Sequence, residues 1–210
     1  TRALGTEVRR SRLLGRPLVA YTSVEAHNCV ARAMDMAGLG SDALRLIGLD
    51  GHHRMDMGAL QAAIAQDRAA GLQPFLVVGS AGTVDTGAVD DLTAVAALAR
   101  AHGLWFHVDA AYGALAMLSP TQRPLVQGLS EADSVAFDFH KWAQVPYDAG
   151  CIVVRDATLH KPVAVGADNG IVFALFFLGL PREDNPAVHS VTLGIWVQLI
   201  NKREKRRLRI

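Results

Sequence analysis

Three segments hold the residues able to do chemistry, and each follows a short apolar run. Asp138-Phe139-His140-Lys141-Trp142 sets a lysine beside a histidine and a tryptophan. A lysine amine becomes nucleophilic when burial or a nearby cation lowers its hold on the proton, and it can then form a Schiff base with an aldehyde. Phe106-His107-Val108-Asp109-Ala110-Ala111-Tyr112-Gly113 ends an apolar stretch in an aspartate followed by small residues, which let a flat ligand approach the backbone. Gly79 to Asp90 (GSAGTVDTGAVD) supplies tight turns and hydroxyl donors. Taken singly, each segment also has a plain structural reading: a surface lysine, a helix-capping aspartate, a capped turn. The glycine-rich segment matches neither the GxxxxGK[ST] phosphate loop nor the GxGxxG dinucleotide fingerprint.

Ligands of open parallel sheets bind beyond the carboxyl ends of the strands, so the surrounding elements decide whether these segments meet. Short apolar runs predict strands at Pro17 to Thr22, Ala43 to Gly48, Pro74 to Gly79, Leu104 to Val108, Ser134 to Phe137 and Cys151 to Val154. Helical spacing of Val24, Val30, Ala31, Met34 and Leu39 predicts a helix capped by Ser23 and stopped by Gly38 and Gly40. A second helix runs from Met57 to Ala70 behind an Asp56 cap. Asp90 or Asp91 caps a third, alanine-rich helix that reaches Ala101 and stops at Gly103. This alternation predicts an α/β fold with a mostly parallel sheet flanked by helices.

Bulk properties narrow the function classes. The chain has 210 residues, half of them hydrophobic, enough for a sizeable core. A formal net charge of +1 gives no global field for nucleic acid or anionic lipid, so neither is expected as a partner. Cys29 and Cys151 lack metal-ligand spacing and read as reduced thiols. The remaining histidines form no metal-binding pattern; His107 can face the same side as Asp109, two residues on, either as a supporting partner or as a core histidine. The apolar run Ile171 to Leu180 is about half the roughly 20 residues that span a bilayer, and residues 1–16 lack a signal-type apolar stretch. A cytoplasmic protein is expected. The basic tail over 201–210 reads as a solvated helix end.

The stretches TSVEAH (22–27), GSAGTVDTGAVDD (79–91), HVDAAYGA (107–114), ADSVAFDFHKW (132–142) and VPYDAGCIVVRD (145–156) together resemble the group II pyridoxal-phosphate-dependent amino-acid decarboxylases. That family includes the aromatic-L-amino-acid and glutamate decarboxylases, and the aromatic branch looks nearest. The resemblance covers residues 17–156. It implies the fold-type I large domain of the aspartate aminotransferase kind, with pyridoxal 5'-phosphate as cofactor and an amino acid as its small-molecule substrate. It also implies roles: Lys141 bonds the cofactor aldehyde, Asp109 pairs with the pyridine nitrogen, and His27 stacks on the ring and helps protonate Cα. Thr83 and Ala111 line the cofactor, His140 sits beside the phosphate or the substrate, and Asp138 lies on the same turn. The reaction expected is decarboxylation to the amine and carbon dioxide, with another pyridoxal-phosphate reaction (aminotransferase or desulfurase) or a catalytically silent relative as alternatives.

The family's upstream phosphate-binding segment has no match in residues 1–16, and its flexible tyrosine loop has none after residue 156. With Thr1 in place of an initiator methionine, the expectation is a fragment of a homodimeric parent. Residues 1–156 would form a partial cofactor-binding domain, and 157–210 an unmatched segment.

Overall fold

The computed structural model describes residues 17–146 and 149–156. The expectations for residues 1–16, for the 157–210 segment with its apolar run and basic tail, and for Tyr147 lie outside the described residues.

Among the described residues, six strands form one sheet: β1 (Leu18–Ser23), β2 (Leu44–Ile47), β3 (Gln73–Ser80), β4 (Trp105–Asp109), β5 (Ser134–Asp138) and β6 (Gly150–Val154). Their order is β2-β1-β3-β4-β5-β6. All neighbours pair in parallel except β5 and β6, which are antiparallel. The mostly parallel sheet expected from the alternation is therefore present. The antiparallel pair follows from its short connection, whose described part, 139–146, holds no helix, since a parallel return needs a crossover, usually helical.

The α-helices among the described residues connect these strands: α1 (Cys29–Met36), α2 (Met57–Ala69) and α3 (Leu92–His102). Helices α2 and α3 cover one face, where Leu60, Ile64, Val95 and Ala99 pack with Tyr21, Val77, Phe106 and Val108. Leu60 and Ile64 are wholly buried. Helix α1 lies on the other face, with Met34 against Ala20 and Leu44. The connections thus leave to opposite faces at the β1/β3 boundary, the switch point where a doubly wound sheet opens a crevice.

The Tyr21 hydroxyl donates to Asp67 Oδ2 at 2.9 Å, and Arg45 meets the same carboxylate at 3.0 Å, which ties β1 and β2 to α2. Between β4 and β5 the chain runs through three 3-10 turns, Gly113–Leu118, Arg123–Val126 and Leu129–Glu131, a region without helical periodicity in the sequence.

Two caps differ from expectation. Ser23 does not cap α1; it is the last residue of β1, paired with Ile47, and the helix begins at Cys29. The intervening turn keeps Val24 N–H bonded to Ile47 C=O at 3.0 Å and so delays the helix. Of Asp90 and Asp91, it is Asp91 that caps α3, accepting from Ala94 N–H. Asp90 instead accepts from Met55 N–H and Ser80 N–H, each at 2.7 Å, and clamps the β2–α2 loop to the end of β3.

Candidate active site

Alternation along the strands sorts their side chains. Val77, Phe106 and Val108 enter the core under α2 and α3, while Val78, Ser80, His107, Asp109, Ala136 and Asp138 line a cavity on the opposite face. In the register, Ser80 stands beside Asp109, and Asp109 beside Ala136. The cavity measures about 790 Å³ and is closed on one side by α1 through Val30, Ala33 and Met34. Its polar end sits at the carboxyl ends of β3, β4 and β5.

All seven residues singled out from the sequence line this one cavity: His27, Thr83, Asp109, Ala111, Asp138, His140 and Lys141. Asp109 ends β4, and its Oδ1 accepts from Ala111 N–H at 3.1 Å. That bond turns the chain sharply at Ala111. Gly113 completes the turn by donating to Ala81 C=O at 2.9 Å, and an added Cβ at Gly113 would strike that carbonyl.

Thr83 is buried in the loop after β3, where its hydroxyl lies 2.7 Å from that of Thr86 and accepts from Ala88 N–H. Gly82, at a φ of 93°, supplies the left-handed backbone that starts this loop. His27 lies on the exposed turn before α1, and its Nδ1 accepts from Cys29 N–H at 3.2 Å. In the neutral ring the proton is then on Nε2.

The turn after β5 carries Lys141. Its Nζ lies 2.9 Å from Asp138 Oδ2 and 4.4 Å from the centre of the Tyr112 ring. Asp138 Oδ2 is also 3.7 Å from His140 Nε2. His140 Nδ1 accepts from Ala149 N–H at 3.0 Å, so its ring proton faces Asp138.

Beneath Asp109, His107 Nδ1 meets Ser134 Oγ at 2.8 Å, and the same hydroxyl accepts from Trp105 Nε1 at 2.8 Å. Burial holds the His107 imidazole below its usual proton affinity, against the opposing pull of Asp109. The Cys29 thiol, of an exposed residue that also lines the cavity, is pushed up first by the partial burial of its sulfur and then by Asp109.

Tyr112 and the Ser134–Trp105 pair were not among the residues expected to matter. Tyr112 lay inside a quoted motif without a role. Its position three residues past a strand-end aspartate was the available signal.

The arrangement suits a flat aromatic aldehyde. Asp109 accepts from Ala111 N–H through Oδ1 and leaves Oδ2 for a ligand, a lysine amine shares the cavity, and Gly82 and Ala111 present small residues to it. Pyridoxal phosphate presents a pyridine nitrogen, a ring face and an aldehyde, which these groups can meet.

Comparison with known proteins gives the same picture. Residues 1–166 match the family model described as the pyridoxal-dependent decarboxylase conserved domain. An aromatic-L-amino-acid decarboxylase of Bacillus atrophaeus is 40% identical over 139 residues, covering 66% of this chain and 29% of the relative. A cysteine sulfinic acid decarboxylase of Mus musculus is 39% identical over 142 residues, covering 68% of this chain and 29% of the relative. The solved structure of Oryza sativa TDC with PLP and tryptamine superposes with a TM-score of 0.64 at 30% identity, covering 70% of this chain and 32% of that one. The chain thus spans under a third of the length of these relatives.

Proposed function

Because this chain belongs to the pyridoxal-dependent decarboxylase family, we propose that it holds the cofactor of an enzyme that removes carbon dioxide from an L-amino acid, aromatic rather than acidic. The observation that carries the reading is the convergence of Lys141, Asp109 and His27 on one cavity at the carboxyl ends of the strands. The cofactor, when bound, supplies an electron sink for the negative charge left on Cα as carbon dioxide leaves.

The chain's own residues have separable tasks. Asp109 holds a proton on the pyridine nitrogen, since a carboxylate beside that atom favours its charged form. Its bond to Ala111 N–H fixes the carboxylate while leaving the second oxygen for the ligand. Lys141 supplies the amine that anchors the aldehyde. His27, with its proton on Nε2, covers the ring and gives a proton to Cα. Thr83 and Ala111 form the walls, and His140 and Asp138 frame the lysine turn. The apolar wall of Val30, Met34, Leu39, Phe75 and Leu76 suits an aromatic side chain better than a charged one. The parent protein would then act in the cytoplasm as a homodimer.

Absorbance spectroscopy tests this reading. Pyridoxal phosphate added to the chain is expected to give a long-wavelength band that Lys141→Ala abolishes and Asp109→Ala weakens. A band unchanged by Lys141→Ala contradicts it. Carbon dioxide release from aromatic and acidic amino acids then decides the substrate class.

A further inference from the structure

The two contacts on Lys141 have a consequence of their own. Its Nζ is gripped from two sides, by Asp138 Oδ2 at 2.9 Å and by the Tyr112 ring at 4.4 Å. The two partners come from different elements, the end of β5 and the turn after β4. Asp138 is held in turn. The His140 ring proton faces its Oδ2, and Gly150, paired opposite on β6, leaves space where a side chain would come within 3.3 Å of its Oδ1.

Attack on an aldehyde carbon needs the nitrogen lone pair, which an ammonium held by a carboxylate and a ring face does not offer; Nζ must give a proton to solvent and turn off the Tyr112 face before it can react. We propose that Asp138 and Tyr112 form a latch that parks the free Lys141 amine when no aldehyde is bound, so that Asp138 is a positioning residue acting through Lys141 rather than a ligand of the cofactor. This rests on the reading of Lys141 as the amine that anchors the aldehyde. Its consequence is selectivity: a small stray aldehyde finds the amine engaged, whereas a ligand that fills the cavity can offer contacts in exchange.

Reductive methylation with formaldehyde and cyanoborohydride measures the freedom of the amine without any cofactor. Peptide mass spectrometry reads the rate at Lys141 relative to the other lysines of the chain. Asp138→Asn is expected to raise that relative rate about fivefold, in keeping with the modest strength of a partly exposed ion pair. Asp138→Glu, which keeps the charge, returns it towards the unmodified chain. Labelling of the buried Cys151, which pairs with Phe137 across β5 and β6, reports whether a variant has opened locally.

An unchanged rate in Asp138→Asn with Cys151 still protected overturns the latch, as does an Asp138→Glu chain that reacts as fast as Asp138→Asn. If Asp138→Asn exposes Cys151, Tyr112→Leu decides, because it removes the second contact and leaves the end of β5 unchanged. A faster Lys141 supports the latch and an unchanged one overturns it. A latch confirmed by these rates, in a chain that forms no Lys141-dependent band with pyridoxal phosphate, leaves the latch standing and removes only the cofactor reading.

Discussion

Asp109 and Asp138 end neighbouring sheet strands two positions apart, yet their surroundings give them different work. Asp109 has a backbone donor and an open oxygen, whereas Asp138 is engaged by a lysine and a histidine. Sequence grouped both as cofactor-side residues, because residue type and a strand-end position do not reveal which neighbour a carboxylate chooses. His107 is the third residue whose role needed coordinates. Ser134 accepts from Trp105 and can give its own proton to His107 Nδ1, while burial, opposed by Asp109 and the Ser134 backbone, favours the neutral imidazole. Burial lowers the His107 proton affinity in the folded chain, so the unfolded chain binds the proton more readily. The stability from neutral His107 is therefore complete above the unfolded value of about 6.5. It is lost as pH falls through that value towards the lower folded one. Urea midpoints measured at descending pH should fall more steeply for this chain than for His107→Gln. Parallel curves for the two would contradict that assignment.

At the scale of elements, the sequence was most readable where the pattern was continuous. The run PFLVVG announced β3 because a strand covered on both faces is apolar throughout, and Asp56 and Gly103 marked helix ends that the structure retains. It was least readable at Ser23. A serine before helical spacing is a good cap signal, but pairing with Ile47 kept the residue in β1 and moved the helix start to Cys29. That delay puts His27 on a turn at the cavity rim instead of inside a helix. Asp90 was assigned a possible cap because it precedes a helix; its actual acceptor duties lie in two other segments. Burial pushes its carboxyl up, with the bonds from Met55 and Ser80 opposing. Asp90→Ala strands two buried backbone donors and should cost about 1–3 kcal/mol of unfolding free energy. A denaturation midpoint unchanged from the parent chain would show that the clamp contributes nothing.

The whole molecule follows from where the connections go. Sending α1 to one face and α2 and α3 to the other opens a crevice at the switch point, and the chemistry-bearing turns of β1, β3, β4 and β5 all end there. The α/β class was legible because strands and helices alternate. The antiparallel β6 was not, since its direction depends on the connection after β5, too short for a crossover, rather than on the residues of the strand. The cavity was legible only as a set of motifs; that seven residues spread over more than a hundred positions line one cavity is a product of the register and the connections. The decisive measurement is to incubate the chain with pyridoxal phosphate, reduce it with borohydride and map the peptides by mass spectrometry. A single phosphopyridoxyl group on Lys141, reduced in amount by Asp109→Ala, is the expected result. A modification spread over the other lysines, with Lys141 untouched, would contradict the placement of the cofactor in this cavity.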